Sequence, residues 1–379
     1  MSLDAWRSRF PEVAETDRVH LNNCSVGPIP QAALDASDRY LEVWLEEMNP
    51  WDEWLDEVDR AVENFARLIN ADIDEVAVMT SATQAMAGVA SALDYEGRDE
   101  VVTSDLDFPT VPQLWHAQGR HGANLRYAES GEEHHVPLEA YEAELSDRTL
   151  LVNTAMAYPF TGGLVDVEGL ADAVHDHGGY LFLDAYQATG VVPIDVKAQG
   201  IDMLTAGSLK FMLGGPGLAF LYVDRELANE LEPTVRGWFG VEDRFDFPMR
   251  DPEYAAGTRR FEHGTPPVPA AYTANPGMEI LLEYGVENVR ERVIELTGRL
   301  IEGVADHGFE VATPADPDRR GGVVNVQVRH PERTLETLHH RGFKLSERNG
   351  GVRAGVHFYN TAAEIDRYVD ALADVATPR

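Results

Sequence analysis

Two residues carry side chains and positions suited to covalent and proton chemistry: Lys210 and Asp184. Of the 31 basic residues only Lys197, Lys210 and Lys344 are lysines, and the rest are arginine. Arginine serves any ordinary surface role, whereas lysine offers an amine that can lose its proton and condense with a carbonyl. Lys210 stands between the apolar run "IDMLTAG" (201–207) and the turn "GGPG" (214–217). Asp184 closes the run "YLFLD" (180–184), which places it at the carboxyl edge of a sheet, where open α/β folds bind ligands. Taken alone, a carboxylate there serves most often as a helix cap or loop ligand. If the two runs are neighbouring strands, Asp184 and Lys210 project into one crevice.

A lysine facing a carboxylate is either a salt bridge or half of a coenzyme site. Pyridoxal phosphate needs both groups, a lysine for the Schiff base and an acid that keeps the pyridine nitrogen protonated. It also needs a phosphate cradle. "TSATQAM" (80–86) offers small residues and hydroxyls after a strand and before a helix whose first amides attract anions. By itself "SAT" is an ordinary helix cap. The three pieces together point to the coenzyme.

The elements that must hold these residues follow from the apolar pattern. "VAVMT" (76–80), "EVVTS" (100–104), "TLLVNTA" (149–155), "GYLFLDA" (179–185), "IDMLTAG" (201–207) and "GLAFLYV" (217–223) read as strands separated by helix-length segments. That alternation predicts a mainly parallel sheet covered by helices on both faces. Upstream, "VHLNNCSVGPIP" (19–30) reads as a short extended piece, and 31–68 as one long amphipathic helical region with Leu41, Trp44, Leu45, Trp51, Trp54, Leu55 and Val58 near helical spacing. Its acidic residues are expected to form a solvated face. Beyond the Gly/Pro-rich "RRFEHGTPPVPA" (259–270) come a helical stretch over 269–307, the strand-like "GVVNVQV" (322–328), a helix near 335–341, "VRAGVHFYN" (352–360) and a final helix over 362–375. This predicts a large domain over 20–265 and a small α+β domain from 1–19 and 266–379.

Charge and composition narrow the function. The chain has 379 residues, 44% of them hydrophobic, and a formal net charge of −34. Such acidity repels nucleic acid and anionic membranes, so neither is expected as a partner. Acidic residues in place of lysines fit adaptation to a salt-rich cytoplasm, where counterions screen the repulsion; an ordinary acidic protein is the alternative. No run spans a bilayer and no leader is evident, so a cytoplasmic location is expected. Cys24, the one cysteine, excludes an internal disulfide and a thiolate zinc cluster, and reads as a small buried apolar residue. The adjacent histidines 134–135 and 339–340 make poor chelates, so no metal is expected.

On "DAYQ" (184–187), "GSLKFMLGGPG" (207–217), "RRFEHGT" (259–265) and "VRAGVHFYNTAAEID" (352–366), the sequence resembles the class V aminotransferase family of fold type I pyridoxal phosphate enzymes over nearly its whole length. The family includes cysteine desulfurases, selenocysteine lyases, kynureninases and isopenicillin N epimerase-like proteins. The resemblance implies a seven-stranded, mainly parallel sheet and an enzyme acting on an amino acid through an external aldimine. It implies that Lys210 bonds the coenzyme, that Asp184 pairs with the pyridine nitrogen and that Gln187 lies near the phenolic oxygen. Ala82 and Thr83, with Ser208, would hold the phosphate, and Phe108 in "DFPT" would stack on the ring as in the kynureninase pattern "NFPT". Arg353 would grip the substrate carboxylate, with Trp238 of "RGWFG" lining the pocket. Gly264 and Thr265 match a segment that reaches the phosphate from a neighbouring subunit, which implies a homodimer with shared sites. Read without the resemblance, Phe108 is equally a core residue and Arg353 a surface one.

Two departures bear on the reaction. The stretch "KLSERNGGVRAGVHFYN" (344–360) lacks the mobile-loop cysteine of many desulfurases, and Cys24 is far away in sequence. In "NTAMAYPFTGG" (153–163), Tyr158 and Pro159 fall where several relatives place a polar contact to the coenzyme. Transamination between an amino acid and a keto acid is therefore the leading expectation. Lyase chemistry on a cysteine or selenocysteine, kynureninase-like cleavage and a non-catalytic coenzyme-binding role are the alternatives. A nucleotide-binding protein would need a glycine fingerprint that "TSATQAM" lacks.

Overall fold

The computed structural model describes residues 1–131, 134–250 and 252–379. The described residues form twelve strands: β1 (Val19–His20), β2 (Val76–Met79), β3 (Glu100–Ser104), β4 (Asn124–Ala128), β5 (Thr149–Ala155), β6 (Tyr180–Asp184), β7 (Met203–Gly207), β8 (Ala219–Val223), β9 (Val323–Gln327), β10 (Phe343–Lys344), β11 (Ser346–Arg348) and β12 (Gly351–Gly355). Seven of them make one sheet in the order β2-β8-β7-β6-β5-β3-β4. Only β8 runs against the rest, pairing antiparallel with both β7 and β2. The six expected strands are all present, and their burial on both faces accounts for their unbroken apolar runs.

Parallel pairing sends the carboxyl ends of β2, β3, β5, β6 and β7 to the same edge. The loops that leave this edge carry residues 80–83, 105–110, 156–159, 185–187 and 208–210. One side of the sheet is covered by buried side chains of the helices Ala82–Ala92 and Thr110–Gln118, the other by those of Trp51–Ile69, Val167–Asp176 and Val268–Tyr284.

Three elements differ from the sequence expectation. β4 sits at the sheet edge with only Ala128 fully buried, so its sequence NLRYA lacks the apolar run that reveals the central strands. The region 31–68 is two helices, Gln31–Glu47 and Trp51–Ile69, broken where Met48 adopts φ 56° ahead of Pro50. The stretch 269–307 is likewise two, Val268–Tyr284 and Val286–Asp306, parted by Gly285 at φ 87°. Leu41, Trp44 and Leu45 also face outward, because only Ala33 and Val43 of their helix are buried.

A second sheet, in the order β11-β12-β9, is antiparallel throughout. One of its faces, with Val324, Val326, Val352 and Ala354, packs against Leu300, Leu338, Ile365 and Leu372 from three helices. The other carries Arg353, Ser346 and Asn325, which are register partners across the three strands. β1 joins this unit by pairing in parallel with β10.

Candidate active site

The shared edge of the large sheet encloses a cavity of about 330 Å³. Lys210, Asp184, Gln187, Phe108, Ala82 and Thr83 all line it, joined by Thr80, Ser81, Thr110, Tyr186 and Pro159. Six residues expected from widely separated stretches therefore meet in one place. Clefts of about 450 and 720 Å³ occur elsewhere, but neither contains a lysine.

Asp184 ends β6 and accepts the backbone N–H of Tyr186 at 2.9 Å. Burial raises its pKa to about 6 against the opposing pull of that hydrogen bond and of Lys210, with Asp107 adding a smaller upward push. Lys210 follows the adjacent strand β7. Burial lowers its amine to about 8, Asp184 opposes this, and the positive charges of Arg353 and Arg348 lower it further. Its Nζ lies 4.5 Å from the Tyr186 ring centre and 5.7 Å from that of Phe108. A buried carboxylate and a lysine amine with its proton loosened thus face one apolar-walled space.

The phosphate end is equally plain. β2 stops at Met79, and Ser81 caps the helix Ala82–Ala92 by accepting from Gln84 N at 3.2 Å. The amides of Ala82 and Thr83 belong to the first turn, where no intrahelical acceptor exists, and the helix dipole favours an anion there. Ser208 is buried beside this edge but is not part of the cavity wall. Its hydroxyl is turned to the carbonyls of Gly215 and Leu218, at 2.7 and 3.2 Å.

Gln187 donates from Nε2 to the carbonyl of Cys24 at 3.0 Å and leaves its buried Oε1 without a partner. Such an oxygen is costly unless a bound group supplies a donor. Arg353, 3% exposed on β12, donates to Ser346 Oγ at 3.1 Å, to the Pro159 carbonyl and to the Cys24 carbonyl at 3.5 Å. All three acceptors are neutral, so its charge is uncompensated. It borders the cavity through Pro159, whereas Tyr158 turns into the interior to meet Tyr141.

Three expected residues lie apart. Gly264 and Thr265 are exposed in a small depression with Gln84 and His263 that shares only Thr80 with the cavity. Trp238 packs among Trp51, Phe239, Phe245 and Phe247, outside the cavity wall. These two segments touch, because Phe239 N donates to the His263 carbonyl at 3.2 Å.

Sequence reasoning missed several supports. Asp107, beside Phe108, accepts from Thr103 Oγ1 and Ser104 N on one oxygen and from Thr154 Oγ1 and Ala155 N on the other, locking the ends of β3 and β5 together. His357 donates from Nε2 to the carbonyl of Phe211, next to Lys210, while its Nδ1 accepts from Phe358 N. That pattern requires the neutral ring, and burial lowers its pKa to about 4. Cys24, far off in sequence, stands at the site in space. Its thiol is 1% exposed and lies 3.9 Å from Ser346 Oγ. Nothing in the sequence pairs 23–27 with 187 and 353.

The donor set fits pyridoxal phosphate: an amine, a buried acid, a stacking face, an anion-binding helix end and an unpaired amide oxygen around one cavity. Comparison with known proteins agrees. A family model described as aminotransferase class-V matches residues 20–368. A Bacillus subtilis (strain 168) protein described as an uncharacterized aminotransferase, YcbU, is 34% identical over 98% of this chain and 97% of its own. A kynureninase from Deinococcus radiodurans is 28% identical over 89% of this chain and 86% of its own. A probable cysteine desulfurase from Pyrococcus abyssi is 24% identical over 94% of each. The solved apo structure of a cysteine desulfurase from Thermococcus onnurineus NA1 superposes with a TM-score of 0.88 at 21% identity, covering 98% of this chain and 97% of that one, so the fold is shared.

Proposed function

The chain belongs to the class V aminotransferase family of pyridoxal phosphate enzymes, and from that premise we propose that it transfers the amino group of an amino acid to a keto acid. The observation that carries the reading is the convergence of Lys210, Asp184 and the Ala82–Ala92 helix end on one cavity. When bound, the coenzyme supplies an electron sink for charge developing at the substrate Cα. Lys210 would hold it through Nζ, and the same amine is placed to carry the substrate's Cα proton. A pKa of about 8 lets the amine exchange protons near neutral pH. Asp184 would hold a proton on the ring nitrogen, Phe108 would offer a face for the ring and the amides of Ala82 and Thr83 would take the phosphate. Gln187 contacts the ring's oxygen side, and Arg353 takes the substrate carboxylate, for which a two-pronged guanidinium is suited.

Transamination is favoured over desulfuration by the state of Cys24. A persulfide route needs an exposed thiolate that can hand sulfur onward, and this thiol is 1% exposed. We also read the enzyme as a homodimer. Gly264, Thr265 and Trp238 form one outlying patch, which in a dimer would complete the partner's site. Exposed Leu41, Trp44, Leu45, Phe245 and Phe247 supply apolar surface to bury in such an interface. The excess of negative charge fits a salt-rich cytoplasm. Among the described residues no helix is long and apolar enough to cross a membrane.

The test is the visible spectrum of the purified holoenzyme as single amino acids are added without keto acid. Loss of the visible band to a stable near-ultraviolet species is expected, and Lys210→Ala abolishes both band and turnover. A band that persists while sulfide, selenide or another side-chain fragment is released would replace this reading with a lyase.

A further inference from the structure

A second guanidinium that the amino-group chemistry does not use, that of the exposed Arg348, stands near the site rather than in the cavity wall. Arg348 lies on β11 two residues from Ser346, so the alternation of a strand puts both side chains on one face. That face is the one bearing Arg353, whose register partner is Ser346, and it is opposite the face buried in the small domain. Arg348 is itself opposite Gly351, diagonal to Arg353. Diagonal neighbours are about 7–8 Å apart at Cα, within reach of long side chains.

The backbone holds Arg348 in place. Asn349 at φ 51° and Gly350 at φ 73° form the two-residue turn between β11 and β12. Both central residues need positive φ in such a turn, which Asn-Gly supplies. The Arg348 carbonyl accepts from Asn325 Nδ2 at 3.1 Å, and the same amide nitrogen reaches the Phe160 carbonyl at 2.9 Å, beside Pro159 of the cavity wall. A Cβ on Gly351 would strike Asn325 Oδ1, so glycine is needed across from Arg348 because the Asn325 side chain fills that space.

The guanidinium, by contrast, is uncommitted. Its Nη1 donates to the carbonyl of Glu347, and no described carboxylate forms an ion pair with it. Arg353 also has only neutral acceptors. Arg348 and Arg353 are thus neighbouring positive charges on one face, neither paired with a described carboxylate. The charge of Arg348 is felt at Lys210, together with that of Arg353.

We infer that the substrate is a dicarboxylic amino acid, with Arg353 taking the α-carboxylate and Arg348 the carboxylate at the far end of the side chain. This rests on the amino-acid reading of the site given above. The apolar stem between the two carboxylates would run along the wall formed by Pro159 and Phe160. The test compares holoenzyme and Arg348→Gln in two assays at one fixed KCl concentration. In the first, kcat/KM for conversion of L-glutamate and L-aspartate is set against L-norvaline and L-alanine. The expected result is a preference for the acidic amino acids that falls about 10- to 100-fold in the variant, the scale of one charge-assisted contact. In the second, calorimetry measures binding of glutarate and succinate against valerate and butyrate. Tighter dicarboxylate binding that is lost in the variant supports the inference even if no amino group is transferred, which separates its fate from that of the transaminase reading. Wild-type preference for the neutral amino acids, or selectivity unchanged in Arg348→Gln, overturns it.

Discussion

At the scale of single residues, the site is built from groups held away from their ordinary protonation. Asp184 is buried to 7% exposure, and its pKa is raised to about 6, chiefly by burial. Between pH 4 and 6 the folded protein keeps a proton that the unfolded chain has released, so stability falls as pH rises through this window and stays lower above it. The charge is therefore a cost carried for catalysis. Asp184→Asn, which retains the acceptor for Tyr186 N, is expected to stabilise the coenzyme-free protein by about 1–3 kcal/mol at pH 7.5 while abolishing turnover. Urea unfolding of parent and variant at pH 4 and pH 7.5 measures this. The gain should be present at the higher pH and nearly absent at the lower, and a variant no more stable at pH 7.5 refutes it. The same scale shows what was legible in sequence. Lys210 stood out because lysine is rare in this chain, and Asp184 because it closes the neighbouring apolar run, whereas Arg348 and Cys24 gave no signal, since their relevance comes from register and chain crossing alone.

At the scale of elements, the central strands announced themselves because burial on both faces demands unbroken apolar runs. β4 escaped notice because an edge strand does not. The final helix was readable to its ends, Ala362–Val375, because Thr361 and Glu364 form a reciprocal cap that the sequence displays. The breaks at Met48 and Gly285 were hidden, since the apolar spacing continues across both turns. Asp107 belongs to this scale as the clasp between β3 and β5. Its two oxygens each accept one backbone N–H, from Ser104 and from Ala155. An asparagine has only one oxygen, so Asp107→Asn must leave one of those amides facing an NH2 group. The expected loss is about 1–3 kcal/mol, read as a lower urea midpoint; an unchanged midpoint would show that the clasp carries no load. The carboxyl group itself is pushed above the usual carboxylate range by burial, against its four hydrogen bonds.

At the scale of the whole molecule, a net charge of −34 sets the conditions under which the fold holds. Self-repulsion acts over about 10 Å at 0.1 M salt and about 3 Å at 1 M. Raising KCl across that range is expected to increase the thermal midpoint, measured by circular dichroism at fixed coenzyme saturation. A midpoint that stays level or falls would mean that the acidic surface is not a source of strain. The route of the chain has a further consequence, for synthesis. β1 pairs with β10, and the carbonyl of Cys24 receives both Gln187 and Arg353. The segment 19–24 is therefore made long before β10 and Arg353, which lie more than 300 residues downstream, and well before Gln187, 163 residues on. Such distant closures are slow, and until they occur the newborn chain has its lysine and its acid but no finished wall between them. A chain lacking residues 340–379 would keep Lys210 and Asp184 on the large sheet but lose β10, β11, β12 and Arg353, and with them the wall that closes the site.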